Sequence, residues 1–224
     1  MWKALALKEL REVTPLAGLA TAAYGVILAH ALGVYMVFWP VSEQQDIPFV
    51  TDSFVMQTTF VSFCLAVGLA MKQTLAESMS GTWLWLLHRP MTRSQILAIK
   101  LAVGGTVYLT CAALPVLLYA CWAASPRTHP SPFYWSMTQG AWEGWGIVGL
   151  MYLGGFLSAF RPGRWMGTRL LPLAGTATLT GVLYAASDFS RSWSVTAGLW
   201  LLLVVLGALV VSSLQRVGRV RDFS

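Results

Sequence analysis

Few side chains in this sequence could carry out catalysis, and they show no catalytic spacing. The histidines and cysteines are His30, His88, His129, Cys64, Cys111 and Cys121. The cysteines fall inside apolar runs without metal-ligand or redox spacing, so we expect them to be buried small hydrophobic residues. His30 also lies inside an apolar run, where it fits either a residue of a functional pathway or a histidine hydrogen-bonded to a neighbouring helix.

Motifs typical of hydrolases and nucleotide-binding proteins are missing from the sequence. Neither Gly-x-Ser-x-Gly nor His-Glu-x-x-His occurs, which leaves serine hydrolysis and zinc-dependent proteolysis unsupported. Gly-x-x-x-x-Gly-Lys-Ser/Thr is also missing, so we expect no ATP hydrolysis by a P-loop in this chain. The sequence predicts a protein that is not itself an enzyme and that holds no metal or cofactor.

The most informative stretch is residues 77–100, a basic, interrupted segment between two long apolar runs. Its apolar part is too short to cross a membrane, so it predicts a short helical elbow. Pro90 ends this elbow, because the residue before a proline is disfavoured in the α region. Thr92 and Gln95 then have capping-box spacing, which predicts a helix that begins at Arg93 and runs for about 30 residues, or about 45 Å.

The apolar residues on this elbow must be shielded from water by lipid or by another protein. Trp83, Trp85, Leu86 and Leu87 lie there beside basic residues. They fit either the lipid headgroup layer or a docking surface for a soluble partner.

The composition indicates an integral membrane protein. Of 224 residues, 56% are hydrophobic and only 11% are charged, too few to cover a soluble surface. The apolar residues form blocks of about 18 to 25, the length of a membrane-crossing helix rather than of a barrel strand. The net charge of +6 does not predict a nucleic-acid partner, because the basic residues stand just outside the apolar runs instead of forming a surface stripe.

We therefore predict an all-α integral membrane protein made of one transmembrane domain, residues 1–224. Residues 1–13, with Trp2, Ala6, Leu10 and Val13 on one face, predict an amphipathic elbow helix on the membrane surface that Thr14 and Pro15 end. The six predicted crossings are residues 16–39, 54–76, 96–122, 141–160, 170–186 and 194–214. The fifth crossing is rich in glycine and threonine, which favours close helix packing over lipid contact.

The basic residues predict the orientation of these crossings. Of the fifteen Lys and Arg residues, all except Arg127 and Arg191 would lie on one side of the membrane. The positive-inside rule makes that side cytoplasmic. Both termini and residues 77–93 are therefore expected in the cytoplasm.

The pattern of residues 77–100 resembles that of ABC exporter permeases of the type-two family, which have the type V fold. The matching positions are Glu77, Gly81, Thr82, Leu86, Leu87, Arg89, Pro90, Thr92, Arg93 and Lys100. Residues 2–12, which include the charged run at 8–12, are also similar to the elbow helix that opens permeases of this family.

This resemblance implies a function in ATP-driven export. Residues 77–93 would form the coupling segment in a groove of a separate P-loop ATPase subunit, where Trp83, Leu86 and Leu87 are buried and Arg89 and Arg93 pair with acidic residues. A second permease copy or a homologue would complete the pathway in the cell inner (plasma) membrane. ATP and Mg would bind to the ATPase, not to this chain.

One departure from the family pattern and one alternative function remain. Only residues 187–192 separate the last two crossings, where many family members have external re-entrant helices. The alternative is a non-transport membrane scaffold or an assembly factor of a larger membrane complex. The cargo of a transporter cannot be read from this sequence.

Overall fold

The computed structural model of the chain describes residues 2–34, 47–50, 53–80, 92–126, 128, 132–160, 166–188 and 193–220. Within these ranges the protein is all-helical and contains no β-strand, as predicted. The α-helices are α1 (Trp2–Ala31), α2 (Phe54–Ser80), α3 (Arg93–Ala123), α4 (Gln139–Phe160), α5 (Met166–Asp188) and α6 (Trp193–Val220). A 3₁₀ turn at Trp135–Thr138 leads into α4.

Four of these helices are long and apolar enough to cross a membrane. The qualifying stretches are Trp2–Ala31, Phe54–Thr74, Ser94–Ala123 and Thr196–Ser213, in α1, α2, α3 and α6. A shorter apolar stretch, Leu170–Ala186, lies in α5. Helices of this length and composition are those of a membrane protein.

Helix α4 occupies the centre of the bundle and packs against α2, α5 and α6. Its residues Ile147, Met151 and Phe156 are at most 1% exposed, because neighbouring helices surround them. Glycines on α4 permit this packing, since a Cβ at Gly154 would clash with the side chain of Thr176 on α5. Small residues at such contacts let the backbones of membrane helices approach closely.

Helix α1 runs without a break through the position where the sequence predicted one. The elbow helix of residues 1–13 was expected to end at Thr14, but α1 continues from Trp2 through Pro15 to Ala31. The Thr14 hydroxyl donates to the carbonyl of Leu10 at 2.6 Å, so it bonds back to the preceding turn rather than capping a new helix. The prediction of a separate elbow helix was therefore wrong.

The end of α1 also differs from the predicted crossing 16–39. Gly33 has a φ of +73°, the left-handed conformation that glycine adopts most readily. The backbone N–H of Gly33 donates to the backbone carbonyl of His30, and the backbone N–H of Val34 donates to that of Ala29. These two bonds together form a Schellman motif. This motif ends the helix eight residues before the predicted boundary.

The buried face of α1 differs from the predicted apolar stripe. Leu5, Glu9 and Val13 are buried, whereas Trp2 and Leu10 are exposed. The row that faces the bundle therefore contains an acidic residue, which an apolar pattern cannot reveal.

Two expectations about small residues hold only in part. A Cβ added to Gly175 or Gly181 on α5 would meet no other atom within 4 Å, so close packing of α5 is limited to positions such as Thr176. Cys64 and Cys121 are exposed on the bundle surface rather than buried, and Cys111 is half-buried. On a lipid-facing surface, apolar residues need no burial by protein.

The remaining predicted crossings each lie inside one helix. Residues 54–76, 96–122 and 141–160 fall within α2, α3 and α4, while 170–186 and 194–214 fall within α5 and α6. The helices extend beyond these limits because an apolar pattern marks only their membrane-compatible part.

Candidate functional site

Helix α3 begins at the residue that the sequence predicted. The backbone N–H of Gln95 donates to the Thr92 hydroxyl at 3.3 Å, and the backbone N–H of Thr92 donates to the Gln95 side chain at 3.1 Å. This capping box satisfies two backbone donors at the helix start. The helix then runs for 31 residues, as the predicted length of about 30 required. The cap therefore fixes where residues 77–93 give way to a long helix.

Two turns after this start, α3 carries a fully buried lysine. The side chains of Lys100 and Glu9 are both 0% exposed. Lys100 Nζ lies 2.6 Å from Glu9 Oε1 on α1 and donates to the backbone carbonyl of Gln73 on α2 at 3.3 Å. Buried charges are tolerated when they are paired and when further hydrogen bonds satisfy them, and Lys100 meets both conditions through Glu9 and the Gln73 carbonyl.

Gln73 and Tyr152 complete the site. Gln73 Nε2 donates to the backbone carbonyl of Lys100 at 3.0 Å, so α2 and α3 exchange bonds in both directions. The Tyr152 hydroxyl on α4 donates to Gln73 Oε1 at 2.8 Å. We call this set of four residues, Glu9, Gln73, Lys100 and Tyr152, the Lys100 junction, because it joins α1, α2, α3 and α4.

Because Gly104 has no side chain, Gln73 and Tyr152 of the Lys100 junction can occupy the space beside it. A Cβ at this position would clash with both Gln73 Oε1 and the Tyr152 hydroxyl. A larger residue would therefore displace both polar groups. Gly104, one turn after Lys100, is therefore needed for the packing of the Lys100 junction.

The Lys100 junction is suited to holding helices together rather than to catalysis. Gln73 and Tyr152 are 1% and 3% exposed, and the charged pair is fully enclosed. Substrate has no access to these groups in this conformation. Their hydrogen bonds instead fix the relative positions of four helices. This contact lies two turns after the first residue of α3.

A second buried polar cluster joins α4 to α6. Thr196 Oγ1 donates to Glu143 Oε1 at 2.6 Å, and Gln139 Nε2 donates to the same carboxylate oxygen at 3.2 Å. The Gln139 amide also contacts the Thr196 hydroxyl. All three residues are at most 5% exposed. We call Gln139, Glu143 and Thr196 the Glu143 cluster.

Most of the predicted coupling residues lie outside the described part of the chain. These are Gly81, Thr82, Trp83, Leu86, Leu87, Arg89 and Pro90. The backbone of Glu77 lies in the last turns of α2, and Arg93 is the first residue of α3. The role of these residues in docking remains a prediction.

His30, the predicted pathway or packing residue, lies in the last turn of α1 and is half-buried. Its position at a helix end, beside the Schellman motif of Gly33, is compatible with either predicted role. The His30→Ala substitution distinguishes the two roles, since only loss of a pathway residue should abolish function.

Sequence reasoning missed Glu9, Gln73 and Tyr152 as site residues and knew Lys100 only from the family pattern. One signal was present, since Lys100 lies inside the predicted crossing 96–122 and a charge at such a position needs a partner. The identity of that partner was hidden, because Glu9 lies 91 residues away in sequence.

Together, the fold and the site define an all-helical membrane protein whose described polar residues are arranged to fix helices. Comparison of the chain with protein-family models, with curated proteins and with solved structures finds no match. Its function is therefore argued from its own residues.

Proposed function

We propose that the chain is the membrane-spanning permease subunit of an ATP-driven ABC exporter. Its six helices would all cross the cell inner membrane, with both termini in the cytoplasm. Two copies, or this chain with a homologue, would enclose the pathway. Residues 77–93 would couple the permease to a separate P-loop ATPase, which binds ATP and Mg.

The observation that carries this proposal is the way the helices on both sides of residues 77–93 are held. The Lys100 junction lies seven residues before the end of α2 and seven residues after the start of α3, which is about 10 Å along each helix. Gln73 and Lys100 exchange hydrogen bonds in both directions, which favours joint movement of the two helices at that level.

This arrangement suits the transmission of movement from a docked partner. A push on residues 77–93 would reach α2 and α3 at once, and Glu9 and Tyr152 would pass it to α1 and α4. The capping box at Thr92 supports this role, because it keeps the first turn of α3 from fraying under load. A long, capped helix is a stiff lever.

The resemblance of residues 77–100 to type-two permeases supports a P-loop ATPase as the proposed partner. Leu86 and Leu87 would be buried in a groove of the ATPase, and Arg89 and Arg93 would pair with its acidic residues. Apolar anchors surrounded by charges are typical of such docking surfaces.

Substitution of Leu87 by aspartate tests the proposed docking. We expect Leu87→Asp to abolish co-purification of a P-loop ATPase with the tagged chain from its native membrane, because a carboxylate would be buried without a partner. Membrane insertion should be unchanged. Ala4→Asp is the matched control, since it adds the same charge at an exposed position near the start of α1, outside the predicted crossings. Equal recovery of the ATPase with both variants would refute the docking role.

A rigid polar junction would also suit the alternative function, a membrane scaffold or an assembly factor. The two functions differ in their partners. A scaffold predicts recovery of other membrane subunits with the wild-type chain and no bound P-loop ATPase.

A further inference from the structure

Helix α4 connects two buried polar clusters that hold it to different parts of the bundle. Tyr152 ties it to α1, α2 and α3 through the Lys100 junction. Glu143, nine residues earlier and about 13 Å away along the helix, ties it to α6. A movement that enters at one cluster can therefore reach the other through a single helix.

The part of α4 between the clusters is packed well enough to transmit movement as a rigid body. Val148 and Met151, which belong to the apolar core shared with α1, α2 and α3, are 3% and 1% exposed. The Tyr108 hydroxyl on α3 donates to the backbone carbonyl of Trp145 at 2.7 Å, which adds a tie between α3 and α4 within this stretch. Close-packed interiors transmit displacement instead of absorbing it.

The two clusters join different numbers of helices, and this decides where a movement of the bundle is taken up. The Lys100 junction joins α1, α2, α3 and α4 through a buried ion pair and hydrogen bonds. The Glu143 cluster joins only α4 and α6, through the contacts of Thr196 with Glu143 and Gln139. If α1–α4 move as one unit, their displacement relative to α6 falls on the Glu143 cluster and on the apolar contacts beside it.

We infer that the Glu143 cluster is a latch between α4 and α6 that opens when the Lys100 junction moves α1–α4 as one unit. Gln139, Glu143 and Thr196 are its positioning residues. The trigger for opening rests on the proposed function, but the latch itself is a property of this chain alone.

The first test needs only the purified full chain in lipid nanodiscs. Spin labels at Gly140→Cys and Ala197→Cys, two exposed positions beside the latch, report the distance between α4 and α6 after Cys64, Cys111 and Cys121 are replaced by serine. We expect Thr196→Val, which removes the central hydroxyl and keeps the side-chain shape, to raise the ratio of long to short distances by roughly 10- to 150-fold.

A matched threonine provides the control for this substitution. The Thr178 hydroxyl is exposed and bonds within its own helix, to the carbonyl of Ala174 at 3.0 Å. Thr178→Val should leave the distance distribution unchanged. A Thr196→Val distribution equal to that of wild type would overturn the latch, whatever the function of the chain.

The second test uses the complex with its ATPase, trapped with a non-hydrolysable ATP analogue. We expect the latch labels to move apart by several ångström. Labels at Lys3→Cys and Ser94→Cys, exposed positions on α1 and α3, should keep their distance because the Lys100 junction holds these helices together.

The outcomes separate the latch from the proposed function. If no P-loop ATPase binds, the proposed function fails while the Thr196→Val result still decides the latch. If ATP is hydrolysed but the latch labels do not move, ATP-driven opening is refuted and the permease remains. If the α1 and α3 labels also separate, the Lys100 junction does not move as one unit.

Discussion

Removal of the buried ammonium group of Lys100 should destabilise the bundle strongly. In Lys100→Met the Glu9 carboxylate stays fully enclosed but loses its contact at 2.6 Å. Breaking a buried pair by removing one partner costs about 3–5 kcal/mol. Lys8 Nζ remains 3.7 Å from the same carboxylate oxygen, so we expect the lower end, about 3 kcal/mol. That is a large fraction of the roughly 5–15 kcal/mol typical of a folded domain.

The assay is denaturant unfolding of the purified chain in detergent, with Lys8→Met as the control. The Lys8 side chain is 36% exposed, and exposed ion pairs contribute at most about 1 kcal/mol. Adding Glu9→Gln to Lys100→Met should cost less than the sum of the two single substitutions, by about 1–3 kcal/mol, because the pair is already broken.

Two results would refute the reasoning. One is a Lys100→Met variant within about 1 kcal/mol of wild type, which would show that the charged pair is not held as described. The other is strict additivity of the two substitutions, which would show that the side chains do not interact.

The remaining predictions concern the surroundings of the junction. Gly104→Ala should lower the stability by about 1–3 kcal/mol in the same unfolding assay, because its Cβ would displace the Tyr152 hydroxyl. Gly105→Ala, whose Cβ would lie 3.9 Å from the nearest atom, should have little effect, and equal losses would refute the packing argument. Thr92→Ala should cost about 1 kcal/mol and speed amide exchange in the first turn of α3, whereas Thr110→Ala in mid-helix should not change that turn.

Local chemical signals in the sequence predicted local structure well. The spacing of Thr92 and Gln95 located the start of α3 to the residue, because a capping box involves only four neighbouring positions. Apolar run length located the helices, since the same 3.6-residue repeat and bilayer thickness apply to all of them.

Pro15 shows where a local rule fails. Thr followed by Pro usually begins a helix, but Pro15 lies within α1. Val13, before Pro15 in the sequence, and Leu16 and Ala17, after it, pack in the core formed with neighbouring helices. Packing against α2 and α3 outweighs a single missing backbone hydrogen bond. The sequence window around Pro15 contains no information about those neighbours.

The candidate site was harder to predict than the fold. Glu9 and Lys100 lie 91 residues apart, and Tyr152 reaches them from a fourth helix. Each of these residues is ordinary in its own segment. Only the packing of α1–α4 brings them together, so no motif of fixed spacing can describe the site.

The central claim, that this chain is a permease driven by a separate ATPase, is tested most directly by the mass of its native complex. The chain, of 24.5 kDa, should be purified in lipid from its native membrane with whatever subunits it binds, and weighed by native mass spectrometry. The proposed function predicts two permease chains, identical or homologous, with two ATPase subunits. Recovery of the chain without any ATPase would contradict it.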